Sequence, residues 1–188
     1  MLHTQNFPHN IQLTVDYDSD PISPLDMTDN PVKFHCFHRR YRLGNSHLSL
    51  EEAQALTLDP DYLTLPLYMY EHSGITISTA PFSCGWDSGQ LGIVSVHIPT
   101  ARAYFGQDAD LTKILEEDTE GYASYLEGCV YRFTITKDGD PVDTCGNLLG
   151  DENYCISEGQ EAVKRVLEDL DAKAAQNAAD LELAYQNL

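Results

Sequence analysis

The sequence is poor in positive charge. Only 11 Lys and Arg stand against 30 Asp and Glu, which gives a formal net charge of −19 over 188 residues. A surplus of this size repels nucleic-acid phosphates and anionic membranes, and it attracts basic surfaces. We therefore expect no direct binding to nucleic acid and none to a membrane. The expected partner is a protein with a basic surface.

Long apolar runs are also missing, since none approaches the roughly 20 residues that cross a bilayer. The start, MLHTQNFPHN, has neither the basic nor the apolar region of a secretion signal. The five cysteines are odd in number and irregularly spaced, which is typical of reduced thiols. We therefore expect a cytoplasmic protein.

Motifs that carry catalysis are absent as well. The sequence has no G-x-S-x-G turn, no G-x-x-x-x-G-K-[ST] phosphate loop and no H-E-x-x-H helix. His35, Cys36 and His38 invite a zinc interpretation, but no second pair of ligands completes it. We predict no cofactor and no metal, and the pattern favours a binding protein over an enzyme.

What is present predicts an α+β fold. Residues 11–17, 91–98 and 129–136 have the spacing of half-buried or buried strands, and residues 65–78 have the pattern of a hairpin. Ser49 with acids in the following turn predicts a short helix, and residues 110–127 an amphipathic one. Because strands cluster before helices, we expect a mainly antiparallel sheet with helices on one face.

The chain length favours one acidic domain over residues 1–188. Ser157 and Gln160 form a capping-box pattern, which predicts a long C-terminal helix over residues 157–188. The apolar stripe of this helix is longer than one domain usually covers. It could therefore pack against a second copy, which makes a homodimer a further expectation.

The segment PFSCGWDSGQ, residues 81–90, contains the only Trp. One interpretation is chemical: a Cys nucleophile near an acid and one of the histidines. The other is structural, with Trp86 filling the core, Asp87 and Ser88 capping a turn, and Gly85 and Gly89 supplying special φ. We favour the structural one. The residues of the alternative site are Cys84, Trp86, Asp87, Ser88 and Gln90.

This segment resembles the F-S-C-x-W-D-S-G-Q motif of uncharacterised proteins from phages and conjugative elements. The likeness extends more weakly through YLEGCVY (residues 125–131) and DTCG (residues 143–146). It covers about a third to a half of the chain. The resemblance implies a mobile-element setting, and hence the cytoplasm of a bacterial host.

The second half of the chain holds most of the excess acid. On a helix over residues 110–127, Glu116, Glu120 and Glu127 would fall within about 40° of one another, with axial steps of about 6 and 10 Å. Such a row can imitate a nucleic-acid backbone, although many acidic helices are only solvated faces. The predicted partner-binding residues are Glu116, Glu117, Glu120, Glu127, Asp138 and Asp140.

The leading hypothesis is a phage or mobile-element inhibitor of the anti-CRISPR or antirestriction type. It would act as a DNA mimic in the basic groove of a host nuclease or CRISPR effector. One alternative is a small cysteine-dependent hydrolytic enzyme centred on Cys84 and Asp87. The other is a homo-oligomeric regulator that uses the C-terminal helix.

Overall fold

The fold contains two sheets and four α-helices in the described part of the chain. The computed structural model describes the backbone of residues 1–26 and 29–186 and the side chains of residues 1–26 and 29–180. The α+β class, the antiparallel pairing and the long C-terminal helix are confirmed. The chain divides into two compact units, residues 1–19 with 131–188 and residues 20–130. The prediction of a single domain stays a prediction.

The first unit is built on an antiparallel sheet of four strands. Its order is β1 (His3–Phe7), β2 (Ile11–Tyr17), β8 (Val130–Lys137) and β9 (Asp140–Leu149). The alternation that predicted β2 is explained by its burial, because Ile11, Leu13 and Val15 point into the core while the residues between them are half-buried. We did not predict β1, whose five residues are half-buried or exposed.

Helix α4 (Glu152–Gln186) belongs to the first unit and packs against β2. At Gly159 a Cβ atom would lie 2.7 Å from Cδ1 of Leu13, so the absent side chain allows the close approach. The predicted start at Ser157 is wrong, because Asp151 Oδ1 accepts a hydrogen bond from the Tyr154 amide and the helix begins five residues earlier. Residues 187 and 188 lie outside the described residues.

Within the described side chains of α4, those that contribute to the core lie in its first half. Cys155, Ala162 and Val163 are buried, whereas every residue from 171 to 180 is exposed. Homodimerisation through this helix stays a prediction. None of the described helices is both long and apolar enough to cross a membrane.

The second unit is built on a mixed sheet of five strands. Its order is β4 (Ser46–His47), β3 (Lys33–Cys36), β7 (Ser88–His97), β5 (Tyr62–Glu71) and β6 (Ile75–Ser78). All pairs are antiparallel except β3 with β4. The β-rich run at residues 32–43 forms a strand only as far as Cys36. Every residue from 91 to 96 in β7 is buried, so both faces of this central strand are covered.

Three helices complete the second unit: α1 (Leu50–Leu58), α2 (Ile98–Phe105) and α3 (Leu111–Leu126). The predicted start of α1 is confirmed, since Ser49 and Glu52 form a reciprocal capping box. Helix α3 packs against β5, β6 and β7. Its Leu115 and Tyr122 are buried in a core with Phe34, whose ring meets Tyr122 edge-on at 5.1 Å.

The pairing of β3 with β7 requires glycine at position 92. A Cβ atom there would lie 1.8 Å from the carbonyl oxygen of His35, a backbone atom that cannot swing away. We expect Gly92→Ala to lower the free energy of unfolding by about 3 kcal/mol or more, because over-packing forces backbone shifts. Urea unfolding followed by circular dichroism measures this.

Gly89→Ala is the matched control, on the same strand, because a Cβ atom at Gly89 meets nothing within 4 Å. We expect its unfolding midpoint to stay close to that of the wild type. Equal stability of the two variants would contradict the close approach at Gly92.

Candidate functional site

Helix α3 presents three of the six predicted acidic residues on a groove. Its buried side holds Leu111, Leu115, Thr119 and Tyr122, so Glu116 and Glu120 point to solvent, as does Glu127 at the C-terminal cap. These three residues line one groove of about 460 Å³, whose other wall is residues 77–80, at the end of β6 and the start of the loop that follows it. We call this the acidic groove.

The three carboxylates of the acidic groove make no ion pair within the described residues. Glu117, one residue away, differs, because its Oε1 lies 3.0 Å from Lys113 Nζ. The hydrogen bond to Glu117 is the first cause of the raised pKa of Lys113. Glu117 is therefore a neutralised member of the predicted set and does not line the groove.

Asp138 and Asp140 lie in the other unit, at the turn between β8 and β9. Asp138 and Gly139 both have positive φ, as a tight hairpin turn requires. The Asp138 carboxylate accepts hydrogen bonds from Lys137 Nζ at 2.5 Å and Asn10 Nδ2 at 2.7 Å, and these lower its pKa. Asp138 is thus neutralised locally, while Asp140 is exposed at the first position of β9.

Asp118 is the one acid of α3 that points inward. It is half-buried, and its Oδ2 accepts a hydrogen bond of 2.6 Å from Asn30 Nδ2. Desolvation raises its pKa, an effect that the bond from Asn30 partly opposes. The helix therefore separates its acids into exposed groups and one that anchors the loop before β3.

The segment 81–90 forms the loop between β6 and β7 and the first residues of β7. Trp86 is 97% exposed, so the prediction that it fills the core is wrong. Phe82 packs instead, with its ring 5.6 Å from that of Tyr70. Gly85 and Gly89 do not have positive φ, which corrects the prediction of special φ at these two positions.

Trp86 stands at the edge of a pocket of about 330 Å³, which we call the Trp86 pocket. The pocket combines aromatic, acidic and basic side chains. It is lined by His38, Arg40, Tyr41, Met69, Glu71, Trp86, Asp87, Ser88 and Gly89. Gln90 does not line this pocket, and its side-chain Nε2 donates a hydrogen bond to the backbone carbonyl of Gly92. The segment therefore forms part of a surface site and leaves the indole in solvent.

A carboxylate lies at the centre of the predicted chemical site. Asp87 Oδ2 is 3.9 Å from Cys84 Sγ and 3.5 Å from His72 Nδ1. Ser88 Oγ donates to the Cys84 carbonyl. The thiol and the imidazole thus both contact Asp87, whereas nucleophilic catalysis needs the base next to the nucleophile. The chemical interpretation of the sequence required a histidine near Cys84 without saying which one, and the histidine that lies nearby is His72.

Arg40 belongs to the basic run at residues 39–42 and pairs internally. Its Nη2 lies 2.8 Å from Glu71 Oε1, and its guanidinium lies 5.0 Å from the centre of the Tyr41 ring. A hydrogen bond to Glu71 is the first cause of the raised pKa of Tyr41. His38 stacks on Tyr41 at 5.3 Å.

No family model matches this chain, and no curated protein or solved structure does either. Within the described residues, no group of three or more His, Cys, Asp or Glu side chains is placed to hold a metal ion.

Sequence reasoning missed the contribution of β5 and of the stretch after β3 to the Trp86 pocket. Tyr41 and Glu71 are thirty residues apart, and only the order of strands β3, β7 and β5 brings them to one place. The run of arginines was a usable signal for Arg40. No local pattern marks Glu71.

The opposite pKa shifts of Asp118 and Asp138 predict opposite effects of neutralisation. A raised pKa in the folded chain means that folding takes up protons, so ionised Asp118 costs stability above that pKa. A lowered pKa in the folded chain means that folding releases protons. Ionised Asp138 therefore stabilises the fold above its unfolded pKa, and this stabilisation is lost as pH falls through its folded pKa.

We expect Asp118→Asn to raise the free energy of unfolding at neutral pH and the gain to vanish in acid. The Asn oxygen can still accept from Asn30. Asp138→Asn is the comparison variant, and it should lower stability at neutral pH. Urea unfolding from acidic to neutral pH tests both. A loss of stability at neutral pH in the Asp118 variant would contradict the assigned cause.

Proposed function

We propose that this protein inhibits a nucleic-acid-directed host defence enzyme, such as a CRISPR effector or a restriction nuclease, on behalf of a phage or mobile element. The acidic groove would occupy the basic groove in which the enzyme holds nucleic acid. The observation that supports this most is that Glu116, Glu120 and Glu127 line one groove without a cationic partner in the described residues.

The position of these carboxylates on a packed helix suits mimicry. Leu115 and Tyr122 are fully or almost fully buried, so the backbone of α3 is ordered before binding and the ordering entropy lost on binding would be mainly that of the exposed Glu side chains. Binding of the row in a basic groove would release counterions into solution, as binding of nucleic-acid phosphates does. The net charge of −19 would also speed the encounter with a basic surface.

The arrangement of Cys84, Asp87 and His72 favours binding over catalysis as the function. Asp87 stands between the thiol and the imidazole, so the contact that activates a nucleophile is missing from the described geometry. The sequence motif at residues 81–90 therefore fits a recognition surface better than a hydrolytic centre.

The proposal predicts salt-sensitive inhibition that depends on the acidic groove. We expect Glu116→Lys, Glu120→Lys and Glu127→Lys together to abolish inhibition of the target enzyme. Purified CRISPR effectors and restriction enzymes are assayed for DNA cleavage with increasing amounts of the protein, at low and high salt. High salt should weaken the wild-type inhibitor, because screening and counterion binding compete with the row.

The matched control reverses three exposed acids of the same unit that do not line the groove: Glu51, Asp61 and Asp108. It changes the net charge by the same amount, so it distinguishes an effect of the acidic groove from an effect of the overall negative charge. We expect it to retain most of the inhibition. Inhibition that is insensitive to salt, or equally weakened by both sets of changes, would contradict the proposal.

A further inference from the structure

The indole of Trp86 is held in solvent by an ordered loop. The Glu71 amide donates to the Asp87 carbonyl at 2.8 Å, and the Ala80 amide donates to Ser78 Oγ at 3.0 Å. Phe82 fixes the middle of the loop against Tyr70. A large apolar ring that is 97% exposed contributes almost nothing to folding. Exposed Trp side chains with this setting are typical of binding hot spots.

The Trp86 pocket already contains one complete set of arginine, aromatic ring and carboxylate. Arg40 lies over the Tyr41 ring and pairs with Glu71, so its charge is met by a π face and an anion. The set shows that this surface can hold a guanidinium between an aromatic ring and a carboxylate. Here the guanidinium belongs to the chain itself.

Trp86 and Asp87 supply a second aromatic ring and a second carboxylate to the same pocket. No Lys or Arg lies over the indole within the described residues. Oδ2 of Asp87 contacts His72 and Cys84, while Oδ1 has no hydrogen-bond or ion-pair partner in that part of the chain. The Asp87 side chain is 43% exposed, so a ligand can reach it.

We propose that the Trp86 pocket binds an arginine side chain of a basic polypeptide partner. The guanidinium would stack on the indole and donate to Asp87, repeating the arrangement of Arg40, Tyr41 and Glu71. A planar guanidinium suits this site better than an ammonium, because it stacks and bonds in one plane. The inference rests on the proposed function and names the residue type by which the basic partner is recognised.

The acidic groove and the Trp86 pocket are connected by the loop between β6 and β7. Thr79 and Ala80, at its start, line the groove, and Trp86 and Asp87, at its end, line the pocket. A single basic segment bound along this loop would meet both. The groove supplies charge, and the pocket supplies selection for arginine.

Trp86 is the only tryptophan, so its fluorescence reports on this site alone. The probes are a blocked hexa-arginine peptide and a blocked hexa-lysine peptide of equal charge, at about 0.15 M salt. We expect the arginine peptide to change the Trp86 emission and to bind more tightly than the lysine peptide. Isothermal titration calorimetry gives the affinities of variants that lack the indole.

Trp86→Ala should weaken arginine-peptide binding about two- to thirty-fold, the range of a cation–π contact, and should abolish the preference over lysine. Trp86→Phe keeps a ring and should retain part of the preference. Asp87→Asn should weaken binding in the same direction. Because the indole is exposed, we expect Trp86→Ala to unfold at the wild-type midpoint, which separates recognition from stability.

Equal affinity for the two peptides in both wild type and Trp86→Ala would overturn this inference. It would leave the proposed function standing, since the acidic groove would still account for binding through charge. A failure of the proposed function would also be distinguishable from a failure of this inference. The lysine substitutions at Glu116, Glu120 and Glu127 should reduce the binding of both peptides equally and leave the preference for the arginine peptide intact. Loss of that preference in the groove variant would overturn the inference as well.

Discussion

The burial of one side of α3 constrains the rest of the second unit. Leu111, Leu115 and Tyr122 leave water together, and this fixes the rotation of the helix about its axis. Once that rotation is set, Glu116 and Glu120 must face solvent and Asp118 must face Asn30. The same packing puts α3 beside β6 and so creates the groove between them. The charged surface is thus a consequence of the apolar core.

The acids of this protein fall into paired and unpaired classes, and the distinction is local. Glu117, Asp138 and Glu71 each have a Lys or Arg within reach, and each pair is at least partly exposed, so its contribution to stability is modest. The groove residues have none in the described chain. A net charge alone says nothing about this distribution, which depends on which side chains the fold brings together.

The elements with strong periodicity could be predicted from the sequence. The bounds of β2 match the alternating run at residues 11–17, Ser49 is the N-cap of α1 as expected, and α3 lies within the helix predicted over residues 110–127. The row of Glu116, Glu120 and Glu127 also followed from helical geometry. In each case the signal lies within one element, where spacing determines which side a residue occupies.

What could not be predicted depends on contacts between distant segments. A loop has no period, so the sequence does not tell which of Phe82 and Trp86 packs and which is exposed. The preference for a buried Trp86 failed for this reason. The meeting of Arg40 with Glu71, and of Asp87 with His72, depends on strand order, and short strands such as β4 carry almost no pattern of their own.

The order of the segments also affects how the chain is made. The second unit, residues 20–130, is continuous in sequence, whereas the first unit is divided around it. Strand β2 pairs with β8, with Ile11 opposite Lys137 and Tyr17 opposite Tyr131. At ordinary rates of synthesis, β2 waits on the order of ten seconds for its neighbour. During that interval the β1–β2 hairpin has an open edge on the ribosome, while the continuous unit can finish folding first.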